Sequence, residues 1–241
     1  MKRAAAMAFV VLASVSCGAA KQAAMPTTAN PVLDTPGSPA PTTAAPSSAT
    51  PSPPAFSAKV SRISRDRLPY SWRPGCPVSY RDLRLITMTY WGFDDKPHTG
   101  EVVVRSTVTD DIVTVFRKLY AWRWPIKQMK LVDAYKADDF NSIEADNTSA
   151  FNCRAATGSS NWSKHAYGLA IDINPRENPY VTTSGSSAHQ NAKKFTKRPT
   201  MGKGVINPGD KVVKAFAQVG WEWGGSWSGD KDYQHFSKGG G

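Results

Sequence analysis

Apolar side chains recur at Ile112, Val115, Phe116 and Leu119 in the run D-D-I-V-T-V-F-R-K-L-Y-A at 110–121, the spacing of one helix face. Asp110 or Asp111 is placed to cap that helix and to set negative charge at its positive end. The same spacing returns at 210–219 with Val212, Val213, Phe216 and Val219, and Gly220 follows as a helix terminator. A shorter period governs 169–173, where Leu169, Ile171 and Ile173 fall on one side of a strand and Ala170 and Asp172 on the other. Further strand-like runs lie at 101–104, 129–134 and 221–223. The mixture predicts an α+β domain with a small, mainly antiparallel sheet and flanking helices. Residues 176–208 show no period and read as a long loop, the kind that serves as a lid or binding element.

The first quarter of the chain follows other rules. Lys2 and Arg3 precede an apolar run from Ala4 to Val15 and then Ser16, Cys17 and Gly18, the basic, apolar, small order of an export signal over 1–17. That run is too short to span a bilayer comfortably. Ser14-Val15-Ser16-Cys17 resembles a bacterial lipoprotein cleavage box, with serine where leucine is usual, so lipidation at Cys17 and ordinary cleavage near it both stand. Residues 18–57 are dominated by Pro, Thr, Ala and Ser, too poor in large apolar groups to offset the entropy of ordering, and read as a disordered tether. A single domain is expected over 58–241, in an exported protein of the cell envelope, either secreted or held to the membrane only by a lipid anchor.

The formal charge is +11, and +9 once Lys2 and Arg3 are removed. Such a balance suits a polyanionic setting. No helix-turn-helix, finger or aromatic RNA-binding signature accompanies it, so anionic cell-wall polymers are the expected neighbours and nucleic acid is not. Of three cysteines, Cys76 and Cys153 remain as an even pair outside the leader. In an exported domain they are expected to form a disulfide closing a loop of about 77 residues, the alternative being free buried thiols. Neither has the C-x-x-C spacing of a structural zinc site.

Two of the four histidines stand beside carboxylates at suggestive spacings. In S-K-H-A-Y-G-L-A-I-D at 163–172, His165 and Asp172 bracket the predicted strand, and in D-Y-Q-H-F at 232–236 Asp232 precedes His235. Imidazole and carboxylate are the donors a catalytic zinc takes, usually three with a position left open. Asp232, close to His235 without being needed as a ligand, is placed to act as general base, taking a proton from water and passing it to a leaving amine. Each histidine alone reads equally as a satisfied core residue. The combination of H-x6-D with D-x2-H points to a metal.

S-x-H-x2-G-x-A-x-D at 163–172, W-x-W-G-G-x-W at 221–227 and D-x2-H-F at 232–236 together resemble the D-alanyl-D-alanine carboxypeptidase family of zinc peptidases, over roughly Pro125 to Phe236. The resemblance implies Zn2+ held on the sheet by His165, Asp172 and His235, with Asp232 as base. Many relatives carry glutamate at that position, so the reach is one methylene shorter here. It also implies that Arg154, in F-N-C-R, contacts a substrate carboxylate or carbonyl oxygen, a role suited to a permanently charged guanidinium. Ser163 belongs to the motif as a substrate contact or as a local cap. The implied substrates are peptidoglycan stem peptides, cut as a D-Ala-D-Ala carboxypeptidase cuts them or as an L-Ala-D-Glu endopeptidase does. A non-catalytic wall-binding module is the remaining alternative. Tyr167 and Tyr233 are pocket or core, Trp221, Trp223 and Trp227 read as packing around a Gly224-Gly225 turn, and Asp138 and Asp139 read as a solvated loop. His98 and His189 have no partner at a telling spacing.

Overall fold

The computed structural model describes residues 54–240; the leader, Cys17 and the tether up to residue 53 lie outside the described residues. Strands β1 (Ala58–Arg62), β2 (Leu83–Trp91) and β3 (Pro97–Arg105) form an antiparallel sheet in that spatial order. The chain then forms α1 (Thr109–Ala121), β4 (Gln128–Met129), α2 (Asp139–Glu144) and β5 (Asn147–Thr148), with β4 and β5 paired in parallel. It continues through β6 (Ala170–Asp172), β7 (Tyr180–Val181), α3 (Lys211–Ala217), β8 (Trp221–Trp223), β9 (Lys231–Asp232) and β10 (His235–Lys238). A second antiparallel sheet has the order β6-β10-β8, and β7 pairs with β9 beside it. The architecture is α+β with small, mainly antiparallel sheets.

One core joins the two sheets. Ile86, Met88 and Tyr90 of β2 meet Ile112, Val115, Phe116 and Leu119 of α1, Phe216 of α3, and Ile171 and Phe236 of the second sheet. Phe216 and Phe236 stack with ring centroids 3.9 Å apart. The opposite face of β2 presents Leu83 and Leu85 to a smaller cluster with Val103, Phe151 and Cys153. The buried positions of β2 switch faces between Leu85 and Ile86, so no single alternation runs its length, which is why it escapes the period-two pattern although it is among the longest strands.

Several local expectations change. Neither Asp110 nor Asp111 caps α1; both lie in its first turn, preceded by a 3-10 turn at Ser106–Val108. Asp111 instead accepts a hydrogen bond from Trp221 Nε1 at 3.0 Å and pairs with Lys238 Nζ at 2.9 Å, tying α1 to β8 and β10. The strand expected at 129–134 ends at Met129, and Val132–Tyr135 is a 3-10 turn closed by left-handed Lys136. The helix at 211–217 does end ahead of Gly220, whose φ of +74° suits a residue without Cβ.

The 176–208 segment is built, not bare. It contains β7 and a 3-10 turn at Gln190–Phe195. At its root Asn178 donates to the carbonyls of Ile173, Asn174 and Gly204 and accepts from Arg198 and Ile206. Glu177 there lies beside Asp146, and both are carboxyl groups with little exposure (9% and 1%). Burial, then the neighbouring Asp146 carboxyl, push the Glu177 carboxyl up to about 8.

Candidate metal centre and its surroundings

The antiparallel register sets His235 opposite Asp172 and Phe236 opposite Ile171. Side chains of directly opposed residues share a face. The pairing therefore puts an imidazole beside a carboxylate on one face while Phe236 and Ile171 enter the core on the other. His235 Nδ1 lies 3.1 Å from Asp172 Oδ1.

His165 arrives differently from the expectation of a strand running the whole way to Asp172. It sits on a 3-10 turn, Lys164–Tyr167, with Ser163 Oγ accepting from the His165 backbone N–H at 3.2 Å. Gly168 closes the turn at φ +67°, and a Cβ there would meet the Arg105 backbone nitrogen at 2.6 Å. The turn, the glycine and β6 together set the separation between the two ligands. His165 Nδ1 donates to the Ala150 carbonyl at 2.5 Å, which leaves Nε2 facing the cluster, 3.2 Å from both Asp172 Oδ2 and His235 Nδ1.

Burial alone would raise the Asp172 carboxyl, but the two histidines outweigh it and hold the group well below the usual carboxylate range. Burial works against charge on His165 too, and Asp172 reverses that and raises it. The donor atoms of His165, Asp172 and His235 all lie within 4.8 Å of one another, and all three residues are buried. Two imidazoles and a permanently ionised carboxylate are the donor chemistry of a zinc site. Their spacings of 3.1–3.2 Å are close to the edge of about 3.3 Å of a tetrahedron with ligand bonds of about 2.05 Å, so the residues fit the ion.

Asp232 lies on β9, where it pairs with Tyr180 of β7. The residue is half-exposed overall, yet its Oδ1 is sealed from solvent and has no hydrogen-bond partner among the described residues. Burial and the Asp172 carboxylate push it up to about 7. The turn Gly224–Ser226 passes directly over it: a Cβ at Gly224 would stand 2.6 Å from the Asp232 carbonyl oxygen and 3.3 Å from His235 Cβ. The tryptophans brace this segment. Trp227 packs on His235 with centroids 5.3 Å apart, and Trp223 Nε1 donates to the Tyr233 carbonyl at 2.9 Å.

Arg154 is half-buried, and its charge lowers the proton affinity of both His165 and Asp232, which places it within electrostatic reach of each. Its Nε lies 2.9 Å from Asp139 Oδ1, an ion-pair distance without hydrogen-bond alignment, which is why that nitrogen also counts as buried and unpartnered. Cys153, next to it, is bonded to Cys76 with Cα atoms 5.8 Å apart. Ser163 stays close through its backbone N–H, which donates to the Arg154 carbonyl at 3.1 Å, while its hydroxyl is engaged as the cap described above.

The other candidates fall elsewhere. Tyr167 is half-buried on the turn bearing His165, and Tyr233 is buried under the Arg198 guanidinium at 4.2 Å. Asp138 and Asp139 do not form a solvated loop: Asp138 caps α2 by accepting from the Asn141 N–H at 2.9 Å, and Asp139 meets Arg154. His98 pairs with exposed Asp94, and His189 with Glu144. Gly224 and Asp139 are the site residues that sequence reasoning named without a role at the site, the one as part of a turn and the other as part of a solvated loop. The first was signalled by W-x-W-G-G, and the second had no local signal.

Residues 157–238 match the model of a family described as D-alanyl-D-alanine carboxypeptidase. No curated protein and no solved structure gave a significant match. The matched span holds Ser163, His165, Asp172, Asp232 and His235 and begins just after Arg154, whose assignment therefore stands on position and charge. The motifs and their folded arrangement agree with that similarity to the D-alanyl-D-alanine carboxypeptidase family over residues 157–238.

Proposed function

We propose that this protein is a zinc-dependent peptidase that hydrolyses amide bonds in peptidoglycan stem peptides, in the manner of a D-Ala-D-Ala carboxypeptidase. The observation that carries the reading is the buried His165–Asp172–His235 cluster with the unpartnered Asp232 oxygen on the neighbouring strand. His165 Nε2, His235 Nδ1 and Asp172 would hold the ion. When bound, zinc supplies Lewis acidity to the scissile carbonyl and to water.

The chain's own groups supply the rest. Asp232, poised near neutrality by burial and by Asp172, takes a proton from the attacking water and returns it to the leaving amine. Arg154 offers fixed positive charge to the oxygen that becomes negative, or to a terminal carboxylate. A pure binding module has no need of a sealed carboxylate beside its metal ligands, which favours catalysis. Export to the cell envelope, membrane attachment only through lipidated Cys17, and anionic wall polymers as neighbours belong to the same proposal; nucleic acid does not.

Purified wall fragments incubated with the zinc-loaded protein should yield new amines by mass spectrometry, and defined stem peptides should show which bond is cut, the L-Ala-D-Glu cut marking an endopeptidase. Asp232→Ala should keep the metal and lose about 100-fold or more in turnover, while His165→Ala should lose the metal as well. An Asp232→Ala protein cutting at the wild-type rate removes the assigned base, and a loaded wild type that binds wall fragments without cutting leaves the binding module standing.

A further inference from the structure

We propose that Asp139 is a positioning residue that holds the Arg154 guanidinium in its working orientation; this rests on the reading of Arg154 as the group that meets the substrate. Asp139 is the first residue of α2, and its Oδ1 lies 2.9 Å from Arg154 Nε with both side chains half-buried. The helix that presents it is anchored at both ends. Asp138 caps its start, and Asn152 Nδ2 donates to the carbonyl of Ala137 at 3.2 Å, linking the helix approach to the segment that leads into Arg154. At the far end the Glu144 carboxylate pairs with His189 Nδ1 at 2.7 Å and accepts from Asn191 Nδ2 at 2.6 Å. Asp139 thus sits on a platform that cannot follow a wandering arginine.

The backbone of Arg154 is fixed separately, by the Cys76–Cys153 bond and by the Ser163 N–H on its carbonyl. What Asp139 adds is control of the side chain. A guanidinium carries five N–H donors. Nη1 donates to the Ala155 carbonyl at 3.1 Å and Nε faces Asp139, so the protein engages these two nitrogens and the remaining donors, those of Nη2 among them, are left to an incoming oxygen. Without the carboxylate the long side chain regains rotamers that point the fork elsewhere.

The test is a double-mutant cycle on hydrolysis of N-acetyl-L-Lys-D-Ala-D-Ala by zinc-loaded protein, joined to the guanidinium 15N–1H NMR signal of Arg154 Nε. Asp139→Asn should lower kcat/KM by about 10- to 100-fold, the scale of a misplaced catalytic contact, with zinc content unchanged. Asp139→Glu should recover most of that loss. In an Arg154→Ala background Asp139→Asn should cost nothing further, because its effect passes through the missing arginine. The Nε–H resonance, identified by its absence in Arg154→Ala, should be slow to exchange in wild type and lose protection in Asp139→Asn.

An Asp139→Asn protein within twofold of wild type, an equal loss with or without Arg154, or an unchanged Nε–H signal overturns the proposal. Should wild type leave the tripeptide uncut while the resonance still collapses in Asp139→Asn, the D-Ala-D-Ala carboxypeptidase reading fails and the positioning role stands.

Discussion

The buried carboxyl pair at the root of the long loop gives a pH prediction with a definite sign. Glu177 ordinarily titrates at 4.5 and is pushed up to about 8 by burial and by Asp146. The folded protein therefore holds a proton that the unfolded chain releases between those values. Stability from this proton is complete below pH 4.5 and is lost as pH rises through 8. At about 1.4 kcal/mol per pH unit the full excursion amounts to about 5 kcal/mol, a ceiling for a pair that keeps its geometry. Water entering between the carboxylates lowers it, so roughly 2–5 kcal/mol should disappear between pH 5 and 9.

Glu177→Gln removes the dependence at its source. The amide stays neutral at every pH and donates a hydrogen to Asp146, whose Oδ1 already accepts from the Arg176 N–H at 3.1 Å. Urea titrations of both proteins at pH 5, 6, 7, 8 and 9 give ΔG against pH, and the difference between the curves isolates the pair from the ionisable groups that both proteins share. The variant should be close to wild type at pH 5 and progressively more stable above pH 7. Parallel curves across the range, within about 0.5 kcal/mol, would refute the shared proton.

Three further outcomes follow from geometry. Replacing Cys76 and Cys153 by serine opens a loop of 77 residues and should cost about 4–5 kcal/mol in urea titrations, the loop-entropy value; reductant should reproduce the loss in wild type and leave the variant unmoved. Gly224→Ala drives a Cβ to 2.6 Å from the Asp232 carbonyl, so the turn must lift. Turnover should fall while stability drops by only about 1–3 kcal/mol, and wild-type kcat in that variant would show that the close approach has no bearing on the base. Phe236→Ala, which removes a fully buried ring stacked on Phe216, should cost about 3–5 kcal/mol in thermal or urea unfolding, far more than the same change at exposed Phe140.

What was legible in the chain was local. His165, Asp172, Asp232 and His235 could be named because short segments carry them at spacings that a turn or a strand converts into a common face. The helices at 109–121 and 211–217 were legible because each buries only one side. The same logic explains the misses. β2 buries Leu83 and Leu85 on one face and then Ile86, Met88 and Tyr90 on the other, so its period is interrupted in mid-strand. Asp139 meets Arg154 only after the chain folds back on itself, and no spacing between them encodes the contact. Asp111 looked like a cap because its position permits one, but its carboxylate is taken by Trp221 and Lys238 from elements about a hundred residues or more away. The loop at 176–208 lacked periodicity because its order comes from single polar anchors such as Asn178.

The pairing of His235 with Asp172 also says where this protein can tolerate a change of length. Extra residues at the exposed turn around Gly185 would lengthen a solvent loop and leave the ladder in step. One residue inserted between Asp232 and His235 would instead carry Gln234 or the inserted residue to the spot reserved for an imidazole and drive the imidazole into the core position of Phe236. Insertion scanning across the two places should separate silent positions from lethal ones over a span of a single peptide unit.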